Sequence, residues 1–252
     1  MTGHRLLTVT LVALLALGSF AVPALADPGG AEPGVLYLPD GSPLTVTLGN
    51  PLVRASGNGI AVAVHSTALL RGRVRISGTA PSGAGTVTIQ RRDALVGWVA
   101  VANAAVRSDA GFVAIWHPNR VGPLQLRAVS GTTAASVADD DPGAPQLSVS
   151  VYRPGVASWY GPTGPDQTTA CGVPLTDTTL GVAHRTLPCG TPVAFYYKGR
   201  TIAVPVIDRG PFVRGRSWDL TQAAFDALGG GDGLIRVGAL PTPTPPTAAR
   251  AH

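Results

Sequence analysis

Asp208 is where the chemistry of this chain concentrates. It ends the apolar run Val204-Pro-Val-Ile-Asp-Arg-Gly-Pro-Phe212 and is followed by a Gly-Pro turn. A lone acid at the end of an apolar strand is placed to exchange a proton with a ligand, and partial burial there raises a carboxyl pKa. The alternative is an Asp-Arg turn in which Asp208 bonds Arg209 or nearby amides. Glu32 is the only glutamate and lies near the N terminus, so the other acids are all aspartates. Asp226 falls on the polar face of a predicted helix, Asp232 in a Gly-rich loop, and Asp219 where a helix cap would stand. Hydrolysis by two carboxylates needs them roughly 5 to 10 Å apart, and Asp177 or Asp166 in the loops would have to supply the second.

Several other side chains can serve a ligand. His184 precedes Arg185-Thr-Leu-Pro188, where an imidazole can polarise a ligand or hold a loop through its backbone. Trp159 and Tyr160 offer aromatic faces to sugar rings, with core packing the rival role for Trp159. Thr169 joins them as a candidate substrate contact. Arg209, with Arg214 and Arg216, can grip carboxylates or phosphates bidentately.

The elements that must position these groups are mostly strands. Leu180–His184, Pro192–Tyr197, Thr201–Asp208 and Leu234–Ala239 read as strands of a C-terminal domain. Leu220, Ala223, Ala224, Ala227 and Leu228 share one face of a short helix, started by Asp219 or Thr221 and ended by Gly229. Upstream, period-two alternation recurs at Arg71–Ser77, Gly85–Gln90, Val99–Val101, Phe112–Trp116 and Leu124–Ala128. With Leu44–Leu48, Ile60–Val64 and Leu147–Val151 these predict a sandwich of about seven or eight strands. Arg153-Pro-Gly155 reads as a short hinge between the two domains, and Asp139–Asp141 as a solvated turn.

The order and spacing of Ala157-Ser-Trp-Tyr-Gly161, Thr169-Ala-Cys-Gly172, Ala183-His-Arg-Thr-Leu-Pro-Cys-Gly-Thr191, the Asp208 motif and Gly215-Arg-Ser-Trp-Asp-Leu-Thr221 resemble the rare lipoprotein A (RlpA-like) double-psi β-barrel family. The resemblance covers about Val156 to Val237. It implies a six-stranded double-psi barrel over 154–240 with one or two short helices, while the alternating runs over 43–153 resemble an immunoglobulin-like sandwich, so an all-β chain is expected. The barrel resemblance also implies action on peptidoglycan, with Asp208 and His184 at the positions of two of the family's active-site residues. A third family position, a glutamate after the glycine of the Thr-Ala-x-Gly segment, is Val173 here. Valine transfers no proton, so the resemblance supports two readings. One is a lytic transglycosylase in which Asp208 acts as both acid and base. The other is an expansin-like module that grips wall glycan without cutting it. A secreted inhibitor using the barrel as a protein-binding surface is a third.

Composition bounds the setting. Residues 1–26 pair a charged start (His4, Arg5) with an apolar run and the small-x-small site Ala24-Leu-Ala26. They predict a leader cleaved near Ala26 and an exported protein of the cell envelope without a stable membrane span. Residues 27–42 read as a flexible tail and 241–252 as a Pro/Thr-rich disordered one. In an exported chain the only two cysteines, Cys171 and Cys189, favour a disulfide. A metal pair or nucleophilic thiol is the alternative, and a metal would need more ligands than His184 adds. No metal or cofactor is expected. The net charge of +5 is almost all arginine, Lys198 being the only lysine. It suits anionic wall polymers, while the absence of a dense basic run argues against nucleic acid. A monomer is expected.

Overall fold

The computed structural model describes residues 36–131 and 141–242. The expected leader, residues 27–35 of the expected tail, Asp139, Asp140 and the C-terminal stretch from 243 lie outside the described residues. The described elements begin with β1 (Thr47–Leu48), β2 (Leu52–Gly57), β3 (Ile60–His65), β4 (Thr67–Leu69) and β5 (Val74–Thr79). Next come β6 (Thr86–Asp93), β7 (Gly97–Ala105), β8 (Gly111–Trp116), β9 (Gly122–Ser130) and the long β10 (Gln146–Tyr160). The chain continues through β11 (Val182–Ala183), β12 (Pro192–Tyr197), β13 (Arg200–Asp208), β14 (Trp218–Thr221), α1 (Gln222–Ala227) and β15 (Ile235–Pro241).

Two cores organise these strands. The first lies between the sheet β2-β3-β5-β8 and a sheet in which β4, β10, β9, β6 and β7 are neighbours in that order. Alternation makes it: Val62 and Val64, Ile76, Phe112 and Trp116 face Val87, Ile89, Leu126 and Val149. β2 was not foreseen because it is an edge strand with no fully buried residue, so its alternation is weak.

The second core fills a closed barrel. Its strands follow one another as β10-β14-β11-β13-β12-β15, and β15 pairs back onto β10. Val193, Phe195, Ile202, Val204, Val206 and Leu220 are fully buried inside it. α1 contributes Ala224 and Phe225, and Leu228 follows at its end. Its N-cap is Thr221, whose hydroxyl accepts from the Ala224 amide, and not Asp219, which lies inside β14.

The two halves share β10. Gln146–Val151 pairs with β9, while Arg153–Ala157 pairs with β15, so the expected hinge at Arg153-Pro-Gly155 is continuous strand. Pro154 stands where β10 has a neighbour on one side only, which lets the ladder lose its N–H. The halves pack closely here: a Cβ on Gly238 would come within 2.8 Å of both Leu69 and Tyr152. Leu44–Leu48 also departs from expectation. Thr47 and Leu48 pair with Thr201 and Arg200 of β13, and Leu36, Leu38 and Leu44 pack against the barrel core. Residues 36–48 are an arm on the barrel because their leucines find an apolar surface there.

Candidate active site

β13 carries Ile202, Val204 and Val206 into the barrel, then breaks its own alternation. Val182 of β11 lies opposite Val206, yet Ala183 lies opposite Asp208, so a bulge absorbs Ile207. Ile207 is buried over Gly181, where any Cβ would collide with its side chain; only glycine lets the bulge form. The bulge re-aims Asp208. Its Oδ1 accepts hydrogen bonds from the Ala170 amide at 2.9 Å and the Arg209 amide at 2.8 Å.

Asp219 reaches the same face by ordinary pairing. Ala183 opposes Asp208 on one side and Asp219 on the other, and cross-strand partners share a face. Two strand spacings put the Cα atoms of the aspartates about 10 Å apart. On the far side of β14, Ser158 opposes Asp219 and its hydroxyl donates to Asp219 Oδ1 at 2.7 Å. Burial pushes the Asp219 carboxyl above the ordinary range; Ser158 and Arg216 oppose that shift and the Asp208 charge adds to it.

Tyr160 follows Ser158 by two residues on β10 and therefore lies on that face too. Its hydroxyl is buried without a hydrogen bond of good geometry. Burial, and then the charges of Asp208 and Asp219, push its pKa well up. Trp159 alternates to the other face, where its ring stands 6.5 Å from that of Phe225 while 45% exposed.

His184 joins the site through the main chain, its amide donating to the Asp208 carbonyl at 3.1 Å. Its ring stacks on Trp218 with centroids 4.6 Å apart. Nδ1 accepts from the amides of Thr186 at 3.2 Å and Leu187 at 3.0 Å. Burial, then Arg185 and Arg209, lower its pKa. The neutral ring with Nδ1 accepting carries its proton on Nε2.

Arg209 is committed to the scaffold. Its guanidinium donates to the carbonyls of His184 at 3.2 Å and Leu187 at 2.9 Å and meets Cys189 Sγ at 3.3 Å. Thr169 is likewise bound locally: its amide donates to the Val173 carbonyl, its carbonyl accepts from the Gly172 amide, and its hydroxyl accepts from the Val173 amide. That turn holds Ala170 against Asp208. The Cys171–Cys189 disulfide, with Cα atoms 5.8 Å apart, ties the same turn to the loop before β12. Asp166 and Asp177 stay in exposed loops.

Two features around the site escaped the sequence. Phe212 is 81% exposed on the loop directly after Asp208, which Arg185 fastens through the carbonyls of Pro211, Val213 and Arg216. Its signal was the Gly-Pro-Phe turn itself. An apolar cleft of about 550 Å³ also runs beside the disulfide, between Val173, Ile207 and Pro205 on the barrel and Leu38 and Pro39 of the arm. No group of three His, Cys, Asp or Glu side chains able to hold a metal occurs among the described residues. None of their helices is long and apolar enough to cross a membrane.

Known proteins resemble the barrel half. Residues 153–239 match the family model described as lytic transglycolase. The "Probable endolytic peptidoglycan transglycosylase RlpA" of Aquifex aeolicus is 44% identical over 92 residues, 36% of this chain and 39% of that protein. The endolytic peptidoglycan transglycosylase RlpA of Campylobacter jejuni is 38% identical over 96 residues, covering 36% of this chain and 35% of that one. The match thus spans well under half of either relative. Among solved structures, the Streptomyces papain inhibitor aligns with a TM-score of 0.27 at 30% identity, over 34% of this chain and 91% of the inhibitor.

Proposed function

We propose, from the premise that residues 153–239 form an RlpA-like double-psi β-barrel, that this protein binds and cleaves peptidoglycan glycan strands in the cell envelope. The observation that carries the reading is the presentation of Asp208. A bulge turns it out of the core, and two main-chain amides fix one of its oxygens. A carboxylate so oriented suits proton transfer to and from a sugar. The reaction is lytic transglycosylation. The bond from C1 to the glycosidic oxygen breaks as that oxygen gains a proton, and the 6-hydroxyl of the same sugar loses its proton and closes on C1, with no water consumed. Asp208 serves as acid and base, and His184 assists as an Nε2–H donor. Tyr160 and the exposed rings of Trp159 and Phe212 supply the surface that sugar rings pack against. Arg209 and Thr169 support binding by holding the loops that frame it.

The rest of the chain serves placement. We read the N-terminal sheets as an immunoglobulin-like spacer, since β4-β10-β9-β6-β7 faces β3-β5-β8 across one core. The net charge of +5 favours anionic wall polymers.

A second reading, a wall-glycan-binding module without cleavage, is favoured by Val173, which lines an apolar cleft at the family's glutamate position. One experiment separates the two. The purified protein is incubated with purified peptidoglycan beside Asp208→Asn, and soluble products are read by mass spectrometry. Anhydro-muropeptides from the wild type alone support cleavage; retention on the pelleted wall with no soluble product supports binding.

A further inference from the structure

We infer that the outer face of the sandwich carries a second binding site, one for an acidic saccharide, built around Trp98 and Arg92. The site goes beyond the reading of the sandwich as a spacer, and it stands whether or not the barrel cleaves glycan.

Register assembles it. Gln146, Arg127, Gln90 and Ala100 oppose one another in turn across β10, β9, β6 and β7. Two residues along each strand, Ser148 opposes Gln125 and Arg92 opposes Trp98. Side chains two apart on a strand share a face, so the two rows lie together, while Leu126, Leu147 and Val149 point into the core. A bulge puts Trp98 among them. Ala102 opposes Ile89 but Ala100 opposes Gln90, so Val101 is the extra residue. In unbroken alternation Trp98 would follow Ala102 onto the side that packs against the core.

The result is a cleft of about 510 Å³ lined by Arg92, Trp98, Gln125, Arg127, Asp141 and Gln146. Small-ligand pockets span roughly 300 to 1,000 Å³. Arg127 is buried, donates to Gln90 Oε1 at 2.7 Å and lies 4.5 Å from the Trp98 ring centroid, which holds the ring in place. Arg92 lies 5.5 Å from the same centroid but is exposed, and it forms no ion pair among the described residues. Its neighbour Arg91, by contrast, meets Asp93. A guanidinium already seated on a ring loses little freedom on binding, and its fork matches a carboxylate or a phosphate.

The remaining groups suit a sugar. The exposed amides of Gln125 and Gln146 donate and accept, as ring hydroxyls require. Asp141, held through Oδ1 by the Asn58 amide, is a further acceptor for hydroxyls. Its charge also orients the ligand, directing the acidic group toward Arg92 and away from itself. A nucleic acid would need a longer run of cations than this face offers.

The test uses the full chain and four probes: N-acetylmuramic acid, N-acetylglucosamine 6-phosphate, neutral N-acetylglucosamine and inorganic phosphate. Indole N–H signals of the four tryptophans are followed by NMR in the wild type, Arg92→Ala and Arg92→Lys. The Trp98 signal is expected to shift with the acidic sugars, and the binding to weaken as salt rises. Arg92→Ala is expected to bind them about 10-fold more weakly, with Arg92→Lys in between. The tighter of the two acidic sugars then distinguishes a carboxylate-bearing from a phosphate-bearing polymer as the source. A Trp98 signal that ignores both acidic sugars, responds equally to N-acetylglucosamine or to phosphate alone, or is unaffected by Arg92→Ala overturns the site. Shifts confined to Trp159 and Trp218 place saccharide binding on the barrel alone and overturn it as well. A Trp98 response in a protein that releases no muropeptides overturns the glycan-cleaving reading and upholds this site.

Discussion

The sandwich and the barrel each take charged side chains out of water, and they do so in opposite ways. Among the described residues of the sandwich, the buried acid Asp93 is matched by cations. Asp93 lies 3.2 Å from Arg91 and 2.9 Å from Arg120, and Arg127 donates to Gln90 at 2.7 Å while resting on Trp98. The Leu95 amide, and then Arg91 and Arg120 against the pull of burial, hold the Asp93 carboxyl below its usual range. In the barrel Asp208 and Asp219 face each other, and Asp219 is pushed up. Paired charge of the first kind holds a fold together. Like charges brought level on one face do not stabilise a fold, and arrangements of that kind mark candidate sites of proton transfer.

That contrast can be broken most decisively by exchanging the two kinds of acid. Asp208→Asn is expected to slow muropeptide release by at least about 10²-fold while leaving the melting temperature nearly unchanged. Asp93→Asn should lower the melting temperature and leave release per folded molecule intact, because it strips the partner from Arg91 and Arg120. Mass spectrometry of products beside thermal unfolding of both variants reads the outcome, and a reversed pattern would sink the distinction.

Next in size is the disulfide. Reducing Cys171–Cys189 is expected to cost about 3 kcal/mol in the chain-entropy model, from urea unfolding with and without reductant. The loss should fall on the barrel, with Trp98 and Trp116 of the sandwich reporting little change.

Smaller effects follow from linkage. Asp219 has a folded pKa above its ordinary 3.8, so the folded chain keeps a proton that the unfolded chain has lost. Its ionisation therefore erodes stability as pH rises through that window. Asp219→Asn should be more stable than the wild type at neutral pH, with the gain vanishing below about pH 3. Equal stability of the two at neutral pH would count against a destabilised carboxyl. His184 runs the other way, its folded pKa lying below 6.5. The stability it contributes is present above pH 6.5 and lost as pH falls through its folded value. His184→Gln should flatten the acid limb of a stability-versus-pH curve by a small margin, and an unchanged limb would argue against a buried neutral ring.

Sequence patterns and structure agree where burial is regular. The runs at Pro192–Tyr197 and Thr201–Asp208 match β12 and β13 almost to the residue, because strands enclosed on one side must alternate. Ala223, Ala224 and Ala227 fall in α1, while Leu220 lies in β14 and Leu228 caps the helix end, and the two cysteines pair. Of the candidate site, Asp208, His184 and Tyr160 were legible from their motifs. Asp219 looked like a helix cap because it stands two residues before a helix; Thr221 takes that role and frees it for β14. Trp159 and Tyr160 adjoin in sequence, but the pleat sends them to opposite faces, and only the pairing with β14 decides which one meets the carboxyls.

By itself, then, the amino-acid sequence determined most of the strand segments, where the helix lies, which residues can carry protons, and that Val173 cannot. These depend on local propensity and on the period of burial, which neighbours in sequence dictate. The tertiary structure alone decided that residues 36–48 lie on the barrel, that β10 runs unbroken between the two cores, and that a bulge over Gly181 turns Asp208 toward Asp219. Each depends on the register between strands distant in sequence. A shift of one residue moves a side chain to the other face of a sheet, and no local pattern records it.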